Sequence, residues 1–361
     1  MFAQDSQLAP PPAMTAPGRN DGSARGADAR AAAVRLPGLD ALRAIAALCV
    51  VVMHTSAIWP GAPRTMGPAY LAVDFFFLLS GFVMARTYEG RMSAGAIGAG
   101  AFMTLRYRRL WPTMAIGAAA SLPFLYRDVS EPARFLGAAL PNLLLLPTFV
   151  TKELFSLNTP AWSIFFELAA NLVHVLVLHR LGQRALGAIV AVFGAAVAAC
   201  AFHFGNLDLG SQSVNMVGGF ARVGFSYGLG VLLWRAHRDR APIRVPRVLA
   251  LIAMPLLFAG ITAWQREGWR FDLGFVLIGG PLLLWGGLRL ARDAGARAQG
   301  LCMAAGALSF PLYAVHYPVL LGAEAAGLAR GWGPVAAVAA AALVAWVTGG
   351  LGHLRGIVRV R

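Results

Sequence analysis

The chain has 361 residues, of which 58% are hydrophobic and only 13% are charged, and its formal net charge is +15. The mean hydropathy of +0.63 lies far above that of soluble domains. This composition excludes a soluble globular enzyme and predicts a protein with many membrane spans. No basic patch is interleaved with aromatic residues, which argues against nucleic-acid binding.

The N-terminal segment is rich in Pro, Gly, Ala and Arg and contains no long apolar run. It resembles neither a signal peptide nor a membrane span, so we expect residues 1–35 to form a disordered cytoplasmic tail. We expect the membrane domain over residues 36–355, followed by a short cytoplasmic end over residues 356–361.

Apolar runs recur along the rest of the chain and predict an all-α, polytopic membrane bundle of about ten transmembrane helices. A further apolar stretch, residues 135–150, is broken by Pro141 and Pro147. We expect it to be a re-entrant or interfacial segment that covers a site on the non-cytoplasmic face. The predicted spans are 38–59, 69–86, 110–126, 160–179, 185–204, 216–234, 248–264, 271–290, 301–321 and 333–352.

Ten spans place both termini on the same side of the membrane. The loops on that side carry 22 Lys and Arg residues, whereas the loops on the other side carry seven. Because cytoplasmic loops hold the excess of basic residues, we expect both termini in the cytoplasm. The Ala-, Gly- and Arg-rich composition is typical of a bacterium, so the expected location is a bacterial inner membrane with anionic lipid as a partner.

The first predicted span contains two polar residues, Arg43 and His54, eleven positions apart. At roughly 100° per residue they lie on one helix face, about 16 Å apart along the axis. Ionisable side chains inside a membrane are costly and usually functional. Neutral imidazole titrates near physiological pH, so His54 is our candidate general base.

The remaining polar residues of the spans fall into two groups by depth. One group flanks the inner ends of the second and third spans and is expected to form a basic mouth with Arg43. Its members are Arg86, Arg106, Arg108 and Arg109. The other group lies with His54 in the outer halves of the spans and is expected to converge on one cavity. Its members are Asp74, Glu167, Arg222 and His316.

Each of these residues also has a structural interpretation. Arginines at helix ends reach lipid headgroups and fix the topology without any role in chemistry. Arg222 and Glu167 would make an interhelical ion pair, and His316 would be a hydrogen-bonded packing residue. The three cysteines all fall in apolar runs, so we expect neither a disulfide nor a metal site.

Five motifs occur in a fixed order after residue 35, and together they resemble the integral-membrane acyltransferase family 3. They are Arg43 and His54 with ten residues between them, VDFFFLLSGFVMAR from Val73, RYRRLWP from Arg106, TPAWSIFFE from Thr159 and LSFPLYAVHYPV from Leu308. The resemblance implies about ten membrane helices. It also implies transfer of an acyl group, commonly acetyl, from acyl-coenzyme A to a hydroxyl that usually belongs to a carbohydrate.

The resemblance also implies roles for individual residues. The catalytic His of the family falls on His54 and its partner Arg on Arg43. The paired arginines of the family fall on Arg106 and Arg109, and its acidic residue after Trp-Ser falls on Glu167.

These residues suggest a donor path. We hypothesise that Arg106 and Arg109 bind the phosphates of cytoplasmic acyl-coenzyme A, because planar guanidinium groups suit phosphate oxygens. The pantetheine arm would then pass Arg43 and Ser80 on its way to His54. The donor is a substrate, and we expect no permanently bound cofactor.

At the acceptor end, His54 would remove the proton of the hydroxyl, with Asp74 or Glu167 orienting the ring and Glu167 favoured. Both direct transfer and an acyl-His54 intermediate fit the sequence. Three residues complete the predicted acceptor side: Arg222, His316 and Trp162. Of these, Arg222 would stabilise the oxyanion that forms during acyl transfer.

The expected outcome is O-acetylation of a polysaccharide, glycolipid or other hydroxylated molecule at the outer face. A multi-span transporter of glycolipids or small molecules is the alternative, although the chain shows no internal repeat of the kind common in transporters. A non-catalytic scaffold would not need several polar residues at similar depth.

Overall fold

The computed structural model describes residues 35–129, 131–238, 240–290 and 295–348. Apart from Arg35, the predicted tail over 1–35 lies outside the described residues, as does the predicted end over 356–361. Within the described residues the chain is helical and contains no strand, only an isolated backbone bridge. This confirms the predicted all-α, polytopic membrane bundle.

In the described part of the chain, each predicted span corresponds to a helix. These helices are α1 (Pro37–Ile58), α2 (Gly67–Ser93), α3 (Ala99–Ala120), α6 (Ala161–Arg180), α7 (Gln183–Phe204), α8 (Ser213–His237), α9 (Arg247–Ala263), α10 (Trp269–Leu290), α11 (Ala296–Ala325) and α12 (Trp332–Val347). Between α3 and α6 lie α4 (Leu122–Asp128) and α5 (Pro132–Leu143). Among the described residues, seven helices are long and apolar enough to cross a membrane, and α9 and α12 are shorter apolar helices.

Consecutive spanning helices run in opposite directions, so their loops lie alternately at two ends of the bundle. We call the end where α1 begins the proximal end and the end where it finishes the distal end. The indole nitrogen of Trp59 donates to the carbonyl of Leu328 (3.0 Å) and joins two distal loops. Arg235 Nη1 donates to the carbonyl of Leu181 (2.8 Å) and joins two proximal segments.

Helices α2 and α8 form the centre of the bundle, and α2 is the most deeply buried of the seven candidate spans. A side chain at Gly81 would collide with the backbone carbonyl of Tyr227, and one at Gly230 would collide with that of Leu78. The two backbones therefore touch at both glycines, which is the close approach that small residues permit in membranes. Ser80, next to Gly81, is held at the middle of the bundle.

The predicted start of the third span was wrong, because α3 begins at Ala99 rather than near residue 110. Three arginines, Arg106, Arg108 and Arg109, lower the hydropathy of this region. Arg106 nevertheless lies two turns inside the helix and is only 5% exposed. Surrounding protein covers it, so it does not mark the membrane boundary.

Helix α5 descends beside α3 from the distal end. The indole nitrogen of Trp111 donates to the carbonyl of Leu143 (2.8 Å), and the hydroxyl of Tyr107 donates to that of Leu144 (3.1 Å). Tyr107 lies thirteen residues before the end of α3, a rise of about 20 Å. The chain then returns to the distal end, where α6 begins, so the segment enters and leaves the bundle at the same end. We call residues 135–150 the re-entrant segment.

Asn142 supplies hydrogen bonds that the non-helical return of this segment needs. Its amide nitrogen donates to the carbonyls of Leu146 (3.2 Å) and Leu154 (3.0 Å). Its oxygen accepts a bond from the backbone nitrogen of Leu157 (3.1 Å). Irregular backbone at membrane depth is tolerated when its polar groups are paired in this way.

Candidate active site

His54 on α1 and His316 on α11 form a direct pair, with 2.9 Å between Nδ1 of His54 and Nε2 of His316. Nδ1 of His316 lies 2.9 Å and 3.1 Å from the carbonyl oxygens of Tyr313 and Leu312. Carbonyl oxygens only accept, so Nδ1 of His316 carries the proton and Nε2 of the neutral ring is an acceptor. His54 therefore donates from Nδ1, which leaves the lone pair of its own Nε2 free.

The two rings differ in access. His316 is fully buried and both of its nitrogens are used, whereas His54 is half-buried. The ring of Tyr317 stands perpendicular to that of His54, with 5.4 Å between the ring centres. A reacting group can reach His54 of this pair, and His316 serves as its hydrogen-bond acceptor.

Tyr317 also lines a cavity at the distal end, which we call the distal cavity. Its volume is about 510 Å³, and its wall is built by α4, the return of the re-entrant segment, the loop before α8 and the end of α11. Three carboxylates and one guanidinium line it: Asp128, Glu153, Glu324 and Arg127. These residues lie in loops and helix ends without a periodic pattern, so no sequence pattern predicts that they share a site.

Glu167 is part of a different cluster nearer the proximal end. Its Oε1 accepts hydrogen bonds from Nη2 of Arg106 (2.6 Å) and from the hydroxyl of Ser80 (2.7 Å). The predicted contact in which Glu167 or Asp74 orients His54 is not formed, since His316 occupies that position. Glu167 on α6 instead faces α2 and α3, which carry its two hydrogen-bond donors.

Two more arginines, Arg43 and Arg109, belong to this group. Arg109 is close enough to Arg43, Arg106 and Glu167 to interact electrostatically with each of them. Arg109 is exposed and makes no hydrogen bond or ion pair with a described residue. Arg43 is half-buried, with Nη1 3.2 Å from Oδ1 of Asp40. Buried Nε of Arg106 has no hydrogen-bond partner in the described chain. We call Arg43, Ser80, Arg106, Arg109 and Glu167 the proximal cluster.

Arg222 and Asp74 form a buried ion pair elsewhere in the bundle, with Nη2 2.7 Å from Oδ2. The other nitrogens of Arg222 donate to Asp74 and to the carbonyl of Leu209, and Nη2 also reaches the carbonyl of Tyr70. The guanidinium lies 5.1 Å from the ring centre of Trp162. These contacts join α8 to α2 and to the loop before α8. The catalytic role of Asp74 and the acceptor contacts of Arg222 and Trp162 stay predictions without a contact that supports them.

Residues 36–350 match a family model described as an acyltransferase domain. The chain belongs to acyltransferase family 3. It is 35% identical over 164 residues to "Protein 2 in picA locus" of Rhizobium radiobacter, which covers 41% of this chain and 82% of that protein. It is 30% identical over 150 residues to "Acyltransferase MdmB" of Streptomyces mycarofaciens, which covers 38% of this chain and 37% of that protein. No solved structure matches.

Family membership makes this chain a multi-pass membrane acyltransferase of the non-aminoacyl class. The alternative interpretation as a transporter therefore loses its support. In this acyltransferase the motif residues divide between two places. Ser80, Arg106 and Glu167 meet in the proximal cluster, whereas His316 joins His54 beside the distal cavity. Helix α1 connects the two, because it carries both Arg43 and His54.

The predicted convergence of five outer polar residues on one cavity differs from the structure. The five are divided among the His54–His316 pair, the Arg222–Asp74 pair and Glu167 with Arg106. Depth along the spans indicated correctly that His54 and His316 lie at one level. Depth contains no information about the direction in which each helix faces, so it could not assign the partners.

Proposed function

We propose that this acyltransferase transfers an acyl group, commonly acetyl, from acyl-coenzyme A at the proximal end to a hydroxyl in the distal cavity. The observation that carries the proposal is the free Nε2 lone pair of His54, fixed by His316 and adjacent to Tyr317 of the cavity wall. Arg43 lies on the same helix about 16 Å nearer the proximal end.

The proximal cluster supports binding of the anionic end of the donor. Arg109 is exposed and unpaired among the described residues, and the buried Nε of Arg106 has a hydrogen to donate. Guanidinium groups make strong, charge-assisted bonds to phosphate oxygens. Glu167 fixes Arg106 by an ion pair and neutralises part of the charge. The long, nearly neutral pantetheine arm would follow α1 toward His54.

In the proposed reaction, Nε2 of His54 takes the proton of the acceptor hydroxyl while the hydroxyl oxygen attacks the thioester carbonyl. The carbon–sulfur bond breaks, the new ester stays on the acceptor, and the coenzyme A sulfur recovers the proton from His54. In a two-step variant Nε2 attacks first and forms acyl-His54. Coenzyme A release in one equivalent without acceptor would identify that variant.

The acceptor and the orientation belong to the same proposal. Hydroxyl and carboxylate groups of the distal cavity suit a hydroxylated acceptor such as a carbohydrate or glycolipid of the cell envelope. The excess of basic residues in the proximal loops supports a cytoplasmic proximal end with both termini inside. The distal cavity would then open at the outer face of a bacterial inner membrane.

The test uses the full chain purified in lipid nanodiscs with radiolabelled acetyl-coenzyme A and fractionated envelope glycans. His54→Ala should lower acyl transfer by about 10²- to 10⁴-fold, the usual contribution of a general base. His203→Ala, which changes an exposed histidine on α7, is the matched control and should keep its activity. Near-normal turnover by His54→Ala, with the same melting temperature as the wild type, would refute the proposal.

A further inference from the structure

We propose that the distal cavity selects acceptors that carry a positive charge, namely hydroxylated saccharides with a protonated amine. This inference rests on the proposed function and names the acceptor class of that site. It comes from the charge of the cavity, an unpaired buried hydroxyl in its wall and its position beside His54.

The cavity is acidic although the protein is strongly basic. The whole chain has 31 Lys and Arg against 16 Asp and Glu. The cavity lining reverses this ratio, with Asp128, Glu153 and Glu324 against Arg127. None of the three carboxylates forms an ion pair with a residue that the structure describes. Their charge is therefore available to a cationic ligand.

Ser121 gives independent support for a ligand in this cavity. It lines the cavity, is 1% exposed, and its hydroxyl has no hydrogen-bond partner in the described part of the chain. A buried hydroxyl without a partner is unfavourable and rare in native proteins. A polar ligand group in the cavity supplies the missing partner.

The cavity wall is held in place around one of its carboxylates. Glu153 forms an isolated backbone bridge with Gln212, which joins the return of the re-entrant segment to the loop before α8. The hydroxyl of Thr151 donates to the carbonyl of Glu153 (2.8 Å) and accepts from the hydroxyl of Ser156 (3.1 Å). A fixed loop positions the carboxylate before the acceptor arrives, which lowers the entropy lost on binding.

An ammonium group held by carboxylates is also protected from acylation. Its lone pair is bound to a proton and cannot attack a thioester, whereas a neighbouring hydroxyl can be activated by His54. Tyr317 lines the cavity and touches the His54 ring, so a hydroxyl of the same ligand lies within reach of the base. The acidic wall thus directs the acyl group to oxygen rather than nitrogen.

The experiment measures binding of three small probes to the full chain in nanodiscs at pH 7 by calorimetry. The probes are methyl glucosaminide, which is cationic, and the neutral methyl glucoside and methyl N-acetylglucosaminide. The wild type should bind the cationic probe at least about tenfold more tightly, which corresponds to roughly 1.4 kcal/mol. Equal binding of the cationic and neutral probes, or no binding of either, would overturn the proposal.

Variants connect this preference to the cavity. The Asp128→Asn, Glu153→Gln, Glu324→Gln triple variant should lose the preference, and Glu324→Gln alone should reduce it about threefold. Arg127→Gln should strengthen it, an opposite effect that general damage to the fold would not produce. Glu267→Gln is the control, because this distal carboxylate does not line the cavity and its partner Arg64 is well exposed.

A parallel assay separates this proposal from the proposed function. Coenzyme A release from acetyl-coenzyme A is compared between the wild type and His54→Ala. Release that depends on His54 without any preference among the probes would overturn only the acceptor class. A charge preference without acyl transfer would overturn the proposed donor chemistry and leave the cationic site standing. The product itself should be a base-labile O-acetyl ester.

Discussion

Replacement of His316 by leucine should slow acyl transfer while His54 is still present. The leucine removes the acceptor of the Nδ1–H of His54, which is 2.9 Å away in the native pair. A buried donor without a partner costs about 1–3 kcal/mol. If that cost falls on the reactive tautomer, kcat should decrease by roughly 5- to 150-fold, because 1.36 kcal/mol corresponds to a factor of ten.

Replacement of His316 by glutamine provides the matched comparison. The glutamine amide oxygen can accept from His54, so most of the tautomer preference should be retained and the loss should stay below about tenfold. Removal of the base itself in His54→Ala should have the largest effect, about 10²- to 10⁴-fold. The expected order of kcat is wild type, His316→Gln, His316→Leu and then His54→Ala.

The assay is single-turnover acyl transfer at saturating donor and acceptor, with melting temperature recorded for each variant. Nitrogen-15 NMR of labelled histidines should show His54 with its proton on Nδ1 in the wild type and a mixture of tautomers in His316→Leu. Equal activity of the leucine and glutamine variants would refute the assignment of His316 as the acceptor that fixes the tautomer.

Two further predictions concern the proximal cluster and the buried ion pair. Arg109→Ala should raise the KM for acetyl-coenzyme A about tenfold in initial-rate assays, with little change in kcat. Arg134→Ala, at the distal end, is the control and should leave both constants unchanged. An unaltered KM in Arg109→Ala would contradict the proposed donor site. Arg222→Met should lower the free energy of unfolding by about 3–5 kcal/mol in thermal unfolding, because Asp74 is left buried and unpaired. The double variant Arg222→Met, Asp74→Leu should recover most of this loss, because it removes the unpaired carboxylate. A stable but inactive double variant would instead show that the pair takes part in the chemistry.

The apolar helices were predictable because hydropathy responds directly to burial in lipid. Helix α7 is the simplest case, since the predicted 185–204 and the observed Gln183–Phe204 nearly coincide. Helix α3 is the opposite case. Hydropathy predicts that the arginines of α3 lie outside the membrane in water. In the structure, however, Arg106 is covered by protein and forms an ion pair with Glu167.

Only one property of the candidate site could be predicted from the sequence, namely the depth of each residue along its membrane span. His54 and His316 were placed at one level, and the structure brings them together. Asp74 and Arg222 were assigned to the same level as well, yet they pair with each other and leave Glu167 to Arg106. The direction in which each helix faces depends on packing contacts such as those at Gly81, which a single sequence does not reveal.

The distal cavity depends on tertiary contacts between loops that are distant in sequence. Glu153 and Gln212 meet across about sixty residues through a single backbone bridge. Loops of this kind show no hydrophobic periodicity, and their polar residues resemble ordinary exposed positions. The acidic lining became visible only when the fold placed Asp128, Glu153 and Glu324 around one volume.

The pairing of His54 with a second imidazole has a consequence for energetics in a living membrane. In the described chain the His54 ring is hydrogen-bonded to a second imidazole, His316, and to no carboxylate. In the proposed mechanism the acyl group would pass from the proximal end toward the distal cavity as an uncharged thioester, and the proton would move only between His54 and its reactants. Moving one elementary charge through 100 mV is worth about 2.3 kcal/mol, and this cycle moves none. Under the proposed mechanism we therefore expect turnover to be independent of the transmembrane voltage and to require no coupling ion.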